Sequence, residues 1–248
     1  MPVTNFVFYR GPSMLDGAAI VAIATIVRSN NEKTGGMVQT WILRDDTNPI
    51  DAARRGLDAS ICGDCVHRGK HDRTTGVRLP STRSCYVRLD TAPLNIWRTE
   101  KRGRYDDLSC DLPQAAERVA GRNVRLGSYG DPAAVPFGVW EALLAQVSGK
   151  TGYTHQWRRF PEFAVYCMAS CDSSEERVLA RALGFRTFRV APARDWQKES
   201  GEALCPASAE AGKKTTCDLC QACGGTSAKA RADIVIPAHG GGRMLVTA

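Results

Sequence analysis

Residues 123–140 decide the fold, and they read NVRLGSYGDPAAVPFGVW. Asn123 to Ser128 is predicted to be a short β-strand. Asp131 and Pro132 are typical of a helix start, because Asp caps free amide groups and Pro suits the first helical position. The amphipathic run from Phe137 to Val147 then predicts a helix. This stretch therefore predicts a strand–helix unit.

The same alternation continues towards the C-terminus. A helix is predicted from Ser173 to Leu183, and strands are predicted at Gly152 to Trp157, Phe163 to Ser170, Arg186 to Val190 and Asp233 to Ile236. Repeated strand–helix units favour a parallel sheet or a partial barrel. Functional residues of such sheets lie at the C-terminal ends of the strands.

The N-terminal part predicts antiparallel β-structure instead. Ala18 to Val27 and Met37 to Arg44 are two strand-like runs, and Ser29 to Gly36 is a polar turn between them. Pro49 to Gly56 predicts a short helix. Residues 57–112 show no clear periodicity, and so long an irregular segment needs a staple, for which a metal is the obvious choice.

We therefore expect an α/β fold, with a partial βα barrel or a mainly parallel sheet, an N-terminal β-hairpin and metal-stapled cysteine-rich loops. Residues 1–50 are the hairpin region, 51–112 a basic cysteine-containing segment, and 113–248 an α/β core with a cysteine loop at 191–230. These parts are expected to form one compact domain, because 248 residues can bury a sizeable core.

The composition is that of a globular protein. Hydrophobic residues make up 43% and charged residues 24%, which excludes disordered and collagen-like chains. The longest apolar run is shorter than the ~20 residues that span a bilayer. Met1 to Arg10 lacks the pattern of a signal peptide, so we expect a cytoplasmic protein without a membrane partner. In a reducing compartment, ten cysteines favour metal binding or redox chemistry over disulfides.

The C-terminal cysteines carry the strongest motif. Cys217, Cys220 and Cys223 read Cys-x2-Cys-x2-Cys, and Cys205 precedes them in the same loop. One tight loop of this spacing can bring three thiolates to an iron–sulfur cluster. Four thiolates can also form a tetrahedral zinc site. We predict a metal site, with a [4Fe–4S] cluster favoured over zinc because zinc sites more often use two separated Cys-x2-Cys knuckles.

A second cysteine set lies in the N-terminal half. Cys62 and Cys65 form a knuckle, and Cys85 follows after nineteen residues. A fourth ligand from His67, His71 or Cys110 would close a structural zinc site. Without one, a metal position stays open to a small molecule. We interpret Cys167 as a core residue, and we expect Cys171 at a strand end, where it could approach a cluster.

Positive charge is concentrated in residues 54–104. Between Asp51 and Arg104 there are twelve lysines and arginines against six acids, in a chain whose net charge is +7. Such a patch attracts nucleic acid or other anions, and Tyr86, Trp97 and Tyr105 could stack on bases. A solvated arginine-rich surface is the alternative.

Other motifs are weaker. Tyr129, Gly130 and Asp131 follow a predicted strand, and they could contact a cofactor, although helix capping explains Asp131 equally well. Asp131 and His155 are the candidate catalytic groups, with no role assigned. No Gly-x-Ser-x-Gly, complete P-loop or Gly-x-Gly-x-x-Gly motif occurs, which excludes the serine hydrolase, ATPase and dinucleotide-binding classes.

Two resemblances follow from these residues. The strings from Lys33 to Cys65, Gly130-Asp131-Pro132, Gly152 to Trp157 and Cys205-Pro206 resemble an uncharacterised group of phage- and plasmid-borne proteins. The order of parts also resembles the radical S-adenosylmethionine superfamily. That resemblance implies a cluster at Cys62, Cys65 and Cys85, a cofactor contact at Tyr129-Gly130-Asp131, and an auxiliary cluster at Cys205, Cys217, Cys220 and Cys223. The chain departs from that superfamily in lacking its Cys-x3-Cys-x2-Cys spacing.

The sequence thus predicts a metal-cluster protein of a mobile element. One hypothesis is a radical S-adenosylmethionine-like enzyme that acts on an anionic or nucleic-acid substrate. The other is a zinc-stapled nucleic-acid-binding or host-interaction protein without catalysis. The oligomeric state and the substrate are not encoded in any motif.

Overall fold

A computed structural model describes residues 4–26 and 32–246 of the chain. Segments rich in apolar and β-branched residues pair into two sheets. Helices form where apolar residues recur every three to four positions. The strands are β1 (Phe6–Pro12), β2 (Ala19–Thr25), β3 (Val38–Arg44), β4 (Asp106–Asp107), β5 (Asn123–Tyr129), β6 (Gly149–Thr151), β7 (Tyr153–Thr154), β8 (Met168–Cys171), β9 (Thr187–Ala191), β10 (Glu202–Leu204) and β11 (Asp233–Pro237). The helices are α1 (Pro49–Arg54), α2 (Ala59–Cys62), α3 (Ala92–Lys101), α4 (Leu112–Val119), α5 (Phe137–Leu144), α6 (Ser174–Ala182) and α7 (Cys217–Cys220).

The first sheet is mixed, and its strand order is β4-β1-β2-β3-β5-β6. Strand β2 pairs antiparallel with β1 and β3, whereas β5 is parallel to both β3 and β6. The second sheet, ordered β10-β11-β9-β8-β7, is parallel throughout. The α/β prediction is therefore confirmed, and the described strands do not close into a barrel.

The two sheets meet at Gly152, which separates β6 from β7. Its amide donates to the Cys223 carbonyl at 3.0 Å, and its carbonyl accepts from the Met168 amide at 2.9 Å. One extended segment therefore contributes its first half to one sheet and its second half to the other. From β3 to β9 the parallel strands follow one another in space in their sequence order.

Apolar side chains of all three sequence regions share one core. Phe8 and Trp140 pack with ring centroids 5.2 Å apart, and Trp157 and Phe163 are also fully buried. Asp131 caps a 3₁₀ helix at Pro132–Ala134 by accepting from the Ala133 amide, as its predicted capping role requires. No described helix is long and apolar enough to cross a membrane.

Two predicted elements need correction. The strand predicted from Phe163 to Ser170 is wrong in its first half, where residues Pro161–Val165 form a 3₁₀ helix and the strand begins at Met168. Pro161 favours a helical start, and Phe163 packs edge-on against Phe137 at 5.1 Å. The segment 57–112, which shows no periodicity, contains helix α3. The predicted turn from Ser29 to Gly36 lies partly outside the described residues, as does Val27.

Candidate functional site

A cavity of about 430 Å³ lies at the C-terminal ends of the parallel strands. One side is formed by residues at or after the ends of β5, β7, β9 and β11, and the other side by the loops that follow β3. This is the position that parallel sheets generally use for ligands. The cavity brings together most of the residues that the sequence singles out, namely Cys62, Cys65, Cys85, Tyr129, Gly130, Asp131, His155 and Cys217.

The N-terminal cysteines reach the cavity from two separate loops. Cys62 ends helix α2, Cys65 follows it by one short turn, and Cys85 arrives from the extended chain that precedes α3. Burial raises the pKa of the Cys62 and Cys85 thiols, and in both the neighbouring Cys65 adds to the effect. The three sulfur atoms are thus close enough to interact electrostatically across the cavity wall.

The Cys62–Cys65 knuckle is held from both sides. Arg68 donates to the Gly63 carbonyl at 2.7 Å and pairs with the buried Asp58 carboxylate at 2.7 Å. From the loop after β7, the Gln156 amide donates to the Asp64 carboxylate at 2.7 Å. Gly63 has a φ of 58°, and a Cβ there would collide with the Gln156 side chain. The knuckle therefore requires glycine at this position.

Two histidines and one carboxylate meet beside the knuckle. Asp172 Oδ1 lies 3.0 Å from His67 Nε2, and Asp172 Oδ2 lies 3.4 Å from His155 Nε2. One ligand atom from each of the three residues lies within 4.8 Å of the others, a spacing that could hold a metal ion. His67 Nε2 and Asp172 Oδ1 are buried without a properly oriented hydrogen bond to any described residue. The three residues of this polar cluster therefore do not satisfy all of one another's hydrogen-bonding groups.

His155 also approaches the first cysteine set. Its Nε2 lies 3.8 Å from the Cys65 Sγ. Burial lowers the pKa of His155, but Cys65 and Asp172 outweigh that effect, so the pKa lies well above the usual value. Asp172 shows the converse: burial raises its pKa, but the nearby imidazoles of His155 and His67 outweigh this effect and lower it. The imidazole is therefore a ready hydrogen-bond donor to the Cys65 sulfur.

Asp131 lines the cavity, but its carboxylate is occupied by protein donors. Oδ1 accepts from the Thr154 hydroxyl at 2.8 Å and the Ala133 amide at 3.0 Å, and Oδ2 accepts from the His155 amide at 2.8 Å. The Asp131 amide in turn donates to the Ile61 carbonyl at 2.6 Å. These contacts tie the ends of β5 and β7 to helix α2, which places His155 beside the cysteines.

The C-terminal cysteines form a second, more apolar cluster. Cys205 and Cys223 are buried with Met168, Ile234 and Ile236. The thiols of Cys205, Cys217 and Cys220 all act on Cys223, whose pKa burial raises to about 12. Among these four, Cys217 lines the cavity. The set thus reaches the cavity through Cys217, and Cys62, Cys65 and Cys85 reach the same cavity from other loops.

A buried arginine accompanies this second set. Arg186 donates to the carbonyls of Ala222 at 2.7 Å and Gly225 at 3.1 Å, and also to that of Ala232. Burial lowers its pKa, and no described carboxylate forms an ion pair with it. A cation held among carbonyls next to cysteines can balance the negative charge of thiolates.

The remaining predicted ligands lie elsewhere. Cys110 is exposed at the turn before α4, and His71 pairs with Arg78 outside the cavity, whereas His67 lines it. Cys167 is fully buried in the core, as predicted. Cys171 ends β8 as expected, but its thiol contacts the Ala169 carbonyl, and the charges that raise its pKa besides burial are carboxylates.

Sequence reasoning missed Arg125 and Asp172. Arg125 lies on β5 with only 8% of its surface exposed, and it lines the cavity. The hydroxyl of Tyr86, a residue expected to stack on bases, accepts a hydrogen bond from Arg125 Nη2 at 2.7 Å. Trp97 and Tyr105 pack against the core. A basic residue within an otherwise apolar strand was the available signal for Arg125, whereas nothing in the spacing pointed to Asp172.

Comparison with known proteins gives no relative. No family model, no curated protein and no solved structure matches the chain. The geometry of the cavity and its cysteines therefore carries the functional interpretation.

Proposed function

We propose that this chain is a metal-cluster enzyme with two thiolate sites on either side of one cavity. Cys62, Cys65 and Cys85 would hold a reactive cluster, and Cys205, Cys217, Cys220 and Cys223 a second, structural or electron-relay cluster. One observation carries the proposal: three cysteines from the N-terminal loops and Cys217 from the C-terminal loop line the same cavity. Such convergence at the C-terminal ends of parallel strands is typical of a catalytic site.

The separations of the sulfur atoms favour iron–sulfur clusters over zinc. Zn–S bonds of ~2.3 Å require thiolates roughly 3.8 Å apart in a tetrahedral site. Among the described residues, no three cysteine sulfurs lie within 4.8 Å of one another. A polynuclear cluster is larger than a single ion and holds its thiolates farther apart.

The strand order supports a radical S-adenosylmethionine-like enzyme. The cysteine loops follow β3, Gly130 and Asp131 follow the neighbouring parallel strand β5, and the second cysteine set comes last. This is the order of parts that the sequence resemblance implies, although the strands here form two sheets and no barrel. Three protein thiolates would leave one cluster position open to a small molecule such as S-adenosylmethionine.

The histidine–aspartate group would adjust the first cluster. His155 can donate a hydrogen bond to the Cys65 sulfur, and such bonds raise the reduction potential of thiolate clusters. Asp131 would act as a positioning residue, because its carboxylate holds the His155 backbone.

The test is metal analysis on protein purified anaerobically. Iron, acid-labile sulfide and zinc would be measured for the wild type, for Cys65→Ser, for Cys220→Ser and for the exposed control Cys110→Ser. We expect a brown wild type, partial loss of iron and sulfide in each of the first two variants, and no loss in the control. The wild type would then be assayed for S-adenosylmethionine cleavage with a low-potential reductant. A colourless protein with zinc and no sulfide would contradict the proposal.

The alternative is a zinc-stapled nucleic-acid-binding protein. What favours it is the surface of residues 54–104, where most basic side chains are exposed, including Arg55, Arg73 and Arg104. Affinity for duplex DNA or RNA should then fall steeply as salt rises, because each phosphate contact releases counterions. A flat salt response would count against this alternative.

A further inference from the structure

Arg125 is a buried cation without an acidic partner. Its Nη2 donates to the Tyr86 hydroxyl, and its Nε has no hydrogen-bond partner among the described residues. No carboxylate in the described part of the chain forms an ion pair with it, whereas the buried Arg177 and Arg189 each have one. A buried guanidinium without a counter-charge is unfavourable, and a bound anion would supply that charge.

The cavity around Arg125 offers no free carboxylate among the described residues. Asp131 is the carboxylate that lines it within the described residues, and its oxygens already accept three hydrogen bonds from the protein. Lys33 and His239 line the same cavity. The cavity therefore supplies no carboxylate to pair with the Arg125 guanidinium, and a bound anion could take that place.

The C-terminal thiolates do not account for Arg125. Cys217 and Cys223 are near enough to raise its pKa, but the hydrogen bond of the guanidinium goes to Tyr86, the chain neighbour of Cys85. The second cysteine set already has Arg186, which donates to the carbonyl of Ala222 beside Cys223. Arg125 thus faces the cavity between the two cysteine sets.

Aromatic side chains surround this cation. Tyr86 and His239 have ring centroids 5.2 Å apart, and Tyr153 and Phe188 have theirs 4.4 Å apart. All four rings line the cavity. Such walls pack against a planar, apolar part of a ligand, while the arginine fixes its charged end.

We infer that Arg125 and Tyr86 form a subsite for an oxyanion, the carboxylate or phosphate of a small molecule with a planar apolar portion. This inference deepens the proposed function. It rests on that function only for the claim that the molecule binds beside the cysteine clusters. The substrate class is thus a small organic acid or a mononucleotide, bound inside the cavity and away from the basic surface of residues 54–104.

The test compares charged and neutral probes of the same shape. Calorimetric titration would measure benzoate against benzyl alcohol, and adenosine monophosphate against adenosine, on the protein as purified. The variants are Arg125→Met, Tyr86→Phe and the exposed control Arg73→Met, with metal content and circular dichroism recorded on the same samples. We expect the charged member of at least one pair to bind the wild type about tenfold more tightly, since Arg–oxyanion bonds are strong. The pair that shows the preference identifies carboxylate or phosphate.

The variants decide the assignment. Arg125→Met should abolish the preference, Tyr86→Phe should weaken it about threefold, and Arg73→Met should keep it. Equal affinities of charged and neutral probes for the wild type would overturn the inference. So would an Arg125→Met protein that keeps the preference but loses metal, which would make Arg125 a counter-charge of the cluster. If Arg125→Met does not fold, an unchanged preference in Tyr86→Phe overturns the subsite. A preference in a protein without iron and sulfide would refute the proposed function and leave the subsite standing.

Discussion

The two cysteine regions differ in what surrounds their sulfur atoms. Cys62, Cys65 and Cys85 lie on loops among histidines and a carboxylate, and all three line the cavity. Cys205 and Cys223 are buried among Met168, Ile234 and other apolar side chains of the parallel sheet. A polar, accessible environment favours reactivity, whereas a dry one favours a structural or electron-transfer role.

A buried arginine fixes each region, but with different partners. Arg68 holds the first knuckle through the Asp58 carboxylate and two carbonyls. Arg186 holds the second loop through carbonyls alone. The positive charge of Arg68 is therefore balanced by Asp58 before any metal binds. The positive charge of Arg186 would be balanced only when the C-terminal cysteines become thiolates. The comparison suggests that the C-terminal loop depends more on metal for its stability.

The largest expected effect tests this dependence directly. Cys223→Ser should lower the free energy of unfolding by about 4 kcal/mol, because it removes a proposed metal ligand and leaves a hydroxyl in an apolar cluster. Urea unfolding of Cys223→Ser, Cys65→Ser and the exposed control Cys110→Ser would measure it. Equal losses for Cys223→Ser and Cys65→Ser would break the distinction between the two regions.

The next largest effect concerns the ion pair at the start of the second loop. Glu202 is buried and pairs with Arg189 at 2.7 Å. Glu202→Gln should cost about 3 kcal/mol, since it leaves buried arginines with less counter-charge. The exposed Glu210→Gln, in the same loop, should be neutral. A loss below 1 kcal/mol would show that the loop is held by other contacts.

The same pair gives a pH dependence. Burial raises the pKa of Glu202, but the hydrogen bond from Arg189 outweighs it, so the folded pKa lies below the usual value. The stabilisation is therefore present above the unfolded pKa of about 4.3 and is lost as pH falls towards the folded pKa. Unfolding measured between pH 7 and pH 3 should show a smaller acid loss in Glu202→Gln than in the wild type. Parallel curves would contradict this origin.

A moderate effect is expected at the first knuckle. Gly63→Ala should cost about 2 kcal/mol, because alanine disfavours a φ of 58° and its Cβ displaces Gln156. Iron bound at the first set should fall, while that at the second set stays. Gly138→Ala, where a Cβ meets nothing, is the matched control. Loss of metal from both sets would show that the two regions are not independent.

The smallest effect on stability belongs to His155→Gln. We expect a change within about 1 kcal/mol, together with a roughly tenfold loss of activity or a shifted cluster potential, as for other groups next to metal ligands. Ser84→Ala, which removes the hydroxyl partner of His67, is a control outside the Cys65 contact. An unshifted spectrum and unchanged cleavage in His155→Gln would exclude its role at Cys65.

The sequence predicted elements whose pattern is local. The alternation in Met37 to Arg44 and the Ser173 cap of α6 both correspond to what the structure contains. The strand prediction for Phe163 to Ser170 was wrong in its first half, because apolar residues occur in a buried 3₁₀ helix as well as in a strand. Helix α3 was missed because Arg98 and Lys101 follow its buried Pro93 and Leu94 without a clear period.

The site was predictable only where spacing is informative. Cys-x2-Cys motifs indicate ligands from short-range geometry, so Cys62, Cys65, Cys217 and Cys220 could be found. His67 and Asp172 are more than a hundred positions apart, and only the pairing of β7 with β8 and the loop after β3 brings them together. No local sequence pattern predicts that His67 and Asp172 lie close together. No local pattern predicts either that Arg125 lacks a carboxylate partner among the described residues.

The junction at Gly152 has a consequence for the order of folding. Its amide binds Cys223, and β11 lies between β9 and β10, so the second sheet stays incomplete until residues 233–237 have joined it. A chain emerging from the ribosome can form the first sheet early, but the second sheet must wait for residues 233–237. Loading of the proposed C-terminal cluster would then follow that of the N-terminal set, and a shortage of metal would leave the second sheet exposed to proteases.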